Sequence, residues 1–169
     1  MRKIAERHLW ACKIIDPGPK DHILEIGCGT GILAGQLANK LEAGSIHAID
    51  RSTSMVEKAE KKNRRHLDHG RMTLHNTEFL NFESPRKFDK IVAFNVNFFQ
   101  RESPRELEKI KELLEGDGSL YVFFQAPYAI DVGHADPIME NLLANGFKVQ
   151  MVELMPEEPI SALGVIVKA

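Results

Sequence analysis

Cysteine is scarce in this 169-residue chain, and so is any excess of one charge. Cys12 and Cys28 are its only cysteines and form no Cys-x-x-Cys pair, so the sequence offers neither a disulfide framework nor a structural zinc site. Thiols so placed suit a reducing compartment, and a cytoplasmic location is expected. Lysine and arginine number 22 against 24 acidic residues, a net charge of -2 at pH 7. Nothing in that balance draws the chain toward nucleic acid or anionic lipid, and neither is expected as a partner. No apolar run approaches the roughly 20 residues of a membrane span. The early charges Arg2, Lys3, Glu6 and Arg7 are not followed by the apolar stretch of a signal peptide. Repeats and low-complexity stretches are also missing. At this length the whole of 1–169 is expected to form one domain, and 43% apolar with 27% charged residues is an ordinary globular composition.

Hydrophobic periodicity supplies the elements. Ile4, His8, Leu9, Cys12 and Ile15 recur at helical spacing before the breakers Asp16-Pro-Gly-Pro19, which predicts an N-terminal helix over 2–15, within a segment 1–16. His22-Ile-Leu-Glu-Ile26 reads as a buried strand, and Leu33, Leu37 and Leu41 as the stripe of a helix ending near Gly44. Residues 45–50 are a second strand. Ser54-Met-Val-Glu57 has capping-box spacing for the next helix, whose last turns carry Lys61, Lys62, Arg64 and Arg65. Cations there complement the helix dipole, which accounts for the cluster without a nucleic-acid patch. Strands over 71–76 and 88–94 precede a helix opened by Ser103-Pro-Arg-Glu106, with Leu107, Ile110 and Leu114 as its buried stripe and Gly116-Asp-Gly118 as its end. A strand over 119–124, a helix capped by Asp136-Pro137, and strands over 147–154 and 162–168 complete the pattern. No helix separates the last two strands, so they pair as a hairpin. The expectation is an α/β fold: a Rossmann-like, doubly wound, seven-stranded and mostly parallel sheet with an antiparallel C-terminal hairpin. Ligands of such sheets lie at the carboxyl ends of the strands.

At the first of those ends stands Glu25-Ile-Gly27-Cys28-Gly29-Thr30-Gly31. Glycines between a strand and a helix let a ligand lie against bare main chain at a helix start. A plain tight turn has the same glycines. What distinguishes this loop is its setting, with a strand before, a helix after, and Asp50 at the end of the next strand. Absences then narrow the ligand. A dinucleotide fingerprint counted from Gly27 needs glycine where Ile32 stands, and the Gly-Lys-Ser/Thr of a P-loop is missing.

The spacing Glu-x-Gly-x-Gly-x-Gly over Ile23–Gly31 resembles motif I of the class I S-adenosylmethionine (SAM) dependent methyltransferases, and the likeness runs over nearly the whole chain. It implies SAM as cofactor, S-adenosylhomocysteine as product, and a set of site residues. Glu25, Gly27, Cys28, Gly29, Thr30 and Gly31 form the motif. Asp50 receives the ribose hydroxyls, which suits a group that only accepts hydrogen bonds, and Arg51 and Met55 flank the adenosine. Asn76, Thr77 and Glu78 lie where the family contacts adenine, although aspartate is usual at the first of these. Asn95 and Val96 bring backbone to the cofactor at the fourth strand, and Phe98 and Phe99 face the substrate or fill the core. Segments 97–102 and 125–135, with Gln125 and Tyr128, are expected to form most of the acceptor site.

Methyl transfer from a sulfonium is an in-line displacement in which alignment supplies much of the catalysis. It has no obligatory base, and the sequence does not choose among His134, Tyr128 and Glu78; a lone histidine such as His134 reads first as a loop residue. Asn95-Val-Asn-Phe98 is not the Asp/Asn-Pro-Pro-Tyr/Phe motif of enzymes that methylate amide or nucleobase nitrogens, no Pro-Cys nucleophile is present, and no second acid marks a metal-dependent catechol type. A small-molecule acceptor and no metal are therefore expected. A catalytically silent SAM-binding module and, less favoured, an NAD-dependent oxidoreductase are the alternatives.

Overall fold

The structure is a computed structural model that describes residues 6–156 and 161–169; Ile4, placed in the first helix above, lies outside the described residues. In chain order the elements are α1 (Glu6–Ile15), β1 (His22–Ile26), α2 (Ile32–Ala38), β2 (Ser45–Asp50), α3 (Thr53–Asp68), β3 (Met72–Asn76), β4 (Phe88–Phe94), α4 (Pro104–Leu113), β5 (Leu114–Gln125), α5 (Asp136–Ala144), β6 (Lys148–Leu154) and β7 (Ala162–Lys168). Short 3-10 turns fall at Phe79–Asn81, Asn97–Gln100 and Val132–Ala135.

The strands make one seven-stranded sheet in the order β3-β2-β1-β4-β5-β7-β6. Strands β1 to β5 run parallel, and β7 enters antiparallel between β5 and β6, as the missing helix between the last two strands requires. The pleat sends alternate residues to opposite faces. Ile23 of β1 joins a core with α1 and α2 (Cys12, Ile15, Leu33, Leu37), while Leu24 joins another with α4 and α5 (Leu107, Ile110, Ile138, Leu142). Both faces are covered, which is why the central strands read as continuous apolar runs. The chain builds outward from β1 through β2 to β3, then returns to lay β4 on the other side of β1. The crevice between the carboxyl ends of β1 and β4 is thus the switch point. Among the described residues no helix is long and apolar enough to cross a membrane.

Five local expectations change. Helix α2 ends at Ala38, not near Gly44, and Leu41 is buried in the turn that follows it. Helix α3 begins at Thr53 behind Ser52 rather than at Ser54, because the Asp50 carboxylate holds the Ser52 N–H (2.8 Å) and fixes the turn early. Helix α4 starts at Pro104 as read, but the Ser103 hydroxyl does not cap it; it accepts from Asn141 Nδ2 on α5 at 2.9 Å, and Leu113 takes the helical stripe position assigned to Leu114. Strand β5 begins at Leu114, not 119: Leu114 pairs Phe88 and Ser119 pairs Lys90, so residues 115–118 loop out opposite Asp89 alone. The Gly-Asp-Gly turn survives as that bulge. Finally, Asp131 rather than Asp136 provides the cap before α5, accepting from Gly133 N–H at 3.0 Å.

Candidate cofactor-binding site

The glycine loop takes its shape from three left-handed residues, Gly27 (φ +70°), Gly29 (φ +52°) and Gly31 (φ +68°), conformations that strain L side chains. Space is short as well. A Cβ on Gly27 would stand 3.0 Å from Val96 Cγ2, and one on Gly31 would meet Asn63 Nδ2 at 2.6 Å. Gly29 differs in having open space where its Cβ would project. The loop is tied on both sides: Cys28 N–H donates to Ile49 O (2.9 Å), and Gly29 N–H to Asp50 Oδ2 (2.8 Å). Asn63, 4% exposed and at a break in the helical geometry of α3, donates to Gly31 O (2.9 Å) and Ala59 O (3.0 Å). That polar side chain on a buried face anchors α3 to the loop.

Beside the loop opens a cavity of about 570 Å³. Of the residues singled out in the sequence it brings together Gly27, Asp50, Arg51, Thr77, Glu78, Asn95, Val96 and Phe98, from the ends of β1 to β4. Asp50 spends one acceptor site of each oxygen on the N–H groups of Gly29 and Ser52. An ionised carboxylate has about four such sites, so two remain for a diol. Phe98 stacks on Phe79 (centroids 5.9 Å apart), and Phe79 and Glu106 also line the cavity although no motif pointed to them, while Arg101 comes to it from the 97–102 segment expected at the acceptor site.

Other residues take different places. Asn76 braces the framework, its amide donating to Asp50 O (3.1 Å) and its oxygen accepting from Thr53 Oγ1 (2.8 Å). Met55 and Thr30 are not on the cavity wall, and Lys62 Nζ donates to Thr30 Oγ1 at 3.1 Å. Cys28 is buried, and burial, with the charges of Glu25 and Asp50, raises its thiol well above the usual range, so it is no nucleophile. Phe99 is fully buried, and with Gln125 it lines a second, smaller cavity. Tyr128 is 58% exposed and lines neither. His134 holds Asp131 (Nδ1 to Oδ1, 2.9 Å) as part of the cap before α5.

Two buried side-chain atoms among the described residues have no hydrogen-bond partner, Oε2 of Glu25 and Nδ1 of His8. Glu25 leads directly into the glycine loop. Glu25 is 3% exposed on β1, and its carboxyl is pushed up to about 8 by burial, against a hydrogen bond from Ala34 N–H and with the Asp50 charge adding to the rise. His8, on α1, leans on Phe94 at the end of β4 (centroids 5.6 Å apart) and is lowered to about 4 by burial and by the charges of Arg7 and Lys62. The sequence presented His8 as one residue of an amphipathic stripe, which hid its position. An orphaned carboxyl oxygen is costly, and a ligand cation placed there relieves it. Among the described residues no group of three or more histidine, cysteine or acidic residues is placed to hold a metal ion.

Residues 23–118 match the model of a family described as the methyltransferase domain. Over 108 residues, 64% of this chain, the sequence is 30% identical to YrhH of Bacillus subtilis (strain 168), a candidate methyltransferase by its name. Over 77 residues it is 38% identical to the tRNA1(Val) (adenine(37)-N6)-methyltransferase of Vibrio parahaemolyticus. The chain spans 59% of the first of these relatives and 32% of the second. In three dimensions it resembles the magnesium protoporphyrin IX methyltransferase of Synechocystis PCC 6803, crystallised with SAM, at a TM-score of 0.71 and 18% identity, over 98% of this chain and 77% of that one. A family match over more than half the chain, on the sheet order and glycine loop just described, makes the chain a member of the methyltransferase domain family within the class I SAM-dependent methyltransferases.

Proposed function

We propose that this chain binds SAM across the carboxyl ends of β1, β2 and β4 and transfers its methyl group to a small molecule. The observation that carries the reading is the orphaned Oε2 of Glu25 beside a glycine loop whose Gly29 faces open space. SAM supplies an electrophilic methyl group on a sulfonium and, at its amino-acid end, an ammonium. Glu25, once ionised, accepts from that ammonium. The two unused acceptor sites of Asp50 take the ribose hydroxyls, and the stacked Phe79 and Phe98 with Thr77 and Glu78 bound the far wall, where a flat base fits. The loop and Val96 fix where the reacting carbon lies, and alignment of this kind removes much of the barrier to displacement.

Support for a small-molecule acceptor over nucleic acid comes from the charge balance and from the state of the basic residues on α3. Arg64 pairs with Glu60 (3.3 Å) and Asp68 (3.2 Å), and Lys62 donates to Thr30. The tRNA substrate in the names of three relatives belongs to proteins about three times as long as the segments matched, which cover 32%, 31% and 34% of them. A metabolite-library screen for conversion of SAM to S-adenosylhomocysteine tests the reading. Turnover with a small metabolite is the expected result, and turnover with RNA alone would move the chain to the other class of acceptor.

A further inference from the structure

Adjoining the cofactor cavity along its Asn95–Asn97 edge is a second cavity of about 180 Å³. Asn95, Val96 and Asn97 line both, so a molecule in the smaller space sits against the same backbone as one in the larger. Its lining divides in two. Phe99, Phe124 and Ile138 make an apolar floor, and the amides of Asn95, Asn97, Gln100 and Gln125 make a polar rim; among the described residues that line it none is charged or titratable in the neutral range. Asn95 has the left-handed conformation (φ +55°), and its Oδ1 accepts from Gln125 N–H at 2.7 Å, which pins the ends of β4 and β5 together. The other wall is pinned by Asn141 of α5, 8% exposed, which donates through Nδ2 to Phe99 O (3.2 Å) and Ser103 Oγ (2.9 Å). The cavity is therefore held by hydrogen bonds on both sides rather than being a gap between loose loops.

We propose that this second cavity is the methyl-acceptor site and that it takes a small, flat, uncharged molecule whose nucleophile is a lone pair carrying no proton to lose, a ring nitrogen or a thioether sulfur. The proposal rests on the SAM-binding reading given above. Its chemical basis is the lining. An uncharged rim leaves an anion unpaired on desolvation, and it holds no group to take a proton from a hydroxyl. His134 is committed to Asp131, and His8 leans on Phe94 rather than on this cavity. For a lone-pair acceptor the step balances without a base. The acceptor's electron pair forms the new bond to the methyl carbon, the carbon–sulfur bond breaks with its electrons going to sulfur, and the positive charge passes from sulfonium to methylated acceptor. The faces of Phe99 and Phe124 attract a cation so formed, and the amides orient the ring.

The test uses the full chain with SAM and two sets of acceptors of similar size. Pyridine-3-carboxamide, 1-methylimidazole and thioanisole form the first set; phenol, catechol and benzoate form the second. Product S-adenosylhomocysteine is measured, SAM binding is followed by calorimetry, and acceptor binding to the S-adenosylhomocysteine complex is followed by saturation-transfer NMR. The expected result is turnover confined to the first set, with kcat unchanged between pH 8 and 9. Gln125→Trp, which fills the cavity from its half-buried rim, should lower turnover at least tenfold with SAM affinity within about twofold of the parent. Gln100→Ala and Gln125→Ala should raise the acceptor KM by about fivefold each, the worth of a neutral hydrogen bond. Three results overturn the proposal while SAM still binds: turnover confined to the second set, neither turnover nor bound signal for any member of the first, or full activity in Gln125→Trp. Absence of SAM binding instead defeats the reading on which the proposal rests, and the proposal with it.

Discussion

In Glu25→Gln the buried carboxyl becomes an uncharged amide of the same size. In the ligand-free protein the Glu25 carboxyl is pushed up to about 8, so at pH 7 roughly nine-tenths of the molecules hold it protonated. Binding an ammonium requires the ionised form, which costs about 1.4 kcal/mol at pH 7 for a pKa one unit above the pH. The charge-assisted hydrogen bond returns about 1.5 to 3 kcal/mol. SAM binding at pH 7 should therefore release roughly four-fifths of a proton, about nine-tenths from the carboxyl less about one-tenth taken up by free α-amino groups with a pKa near 8. Calorimetric titrations in buffers of different ionisation enthalpy measure that number. Glu25→Gln should reduce the release to near zero, and its affinity deficit should widen by close to tenfold from pH 7 to pH 8.5, because only the parent gains as its carboxyl ionises. Stability carries the same signature with a definite sign. An acid whose folded pKa lies above its unfolded value of 4.5 stabilises the fold fully at low pH and loses that contribution as pH rises toward 8. The ligand-free parent should thus lose stability relative to Glu25→Gln across that range, by a few kcal/mol at most. Proton release at pH 7 that is absent in the parent, or equal in parent and variant, would refute the reasoning.

Asp50→Asn should weaken SAM binding on the order of tenfold to a hundredfold by calorimetry, since hydrogen bonds to a charged group are worth about 1.5 to 3 kcal/mol. Its control, Asp68→Asn, removes only an exposed partner of Arg64 and should leave affinity alone. Gly31→Ala should lower the thermal midpoint by several degrees and SAM affinity with it, because the added Cβ meets Asn63 at 2.6 Å in a left-handed backbone; unchanged melting would show that the loop shifts freely. His8 is lowered to about 4, so the fold is stabilised by it above 6.5 and loses that contribution as pH falls toward 4. His8→Phe should flatten the loss of melting temperature between pH 6.5 and 4.5, measured by scanning calorimetry. Methyl transfer should survive EDTA, and loss of turnover restored by magnesium would contradict that expectation.

How far the sequence could be read depended on whether a feature was local. The mostly parallel sheet and its antiparallel closing hairpin followed from the alternation of elements and from the lack of a helix between β6 and β7, both visible as periodicity, whereas the strand order came only with the structure. The glycine loop was equally legible, because Gly27, Gly29 and Gly31 are needed where they stand by backbone torsion and by near neighbours. What stayed hidden were partners far apart in the chain. Ser103 has every sign of a helix cap, yet a tertiary partner, Asn141, claims its hydroxyl. Asp131 caps the turn before α5 although Asp136-Pro137 carries the local signal. Asn63 is a polar residue on a buried helical face, and that mismatch is the one sequence-level hint of its proximity to the loop. Phe79 and Glu106 gather at the cavity only once β3, β4 and α4 are docked, so no spacing announces them.

The central claim is that this loop and Asp50 form a nucleoside site for SAM and not a phosphate site. Calorimetric titration of the purified chain with SAM, S-adenosylhomocysteine, NAD and ATP tests it most directly. Saturable one-to-one binding of SAM and S-adenosylhomocysteine, with NAD and ATP at least a hundredfold weaker, is the predicted result; NAD binding as tight as SAM would contradict it.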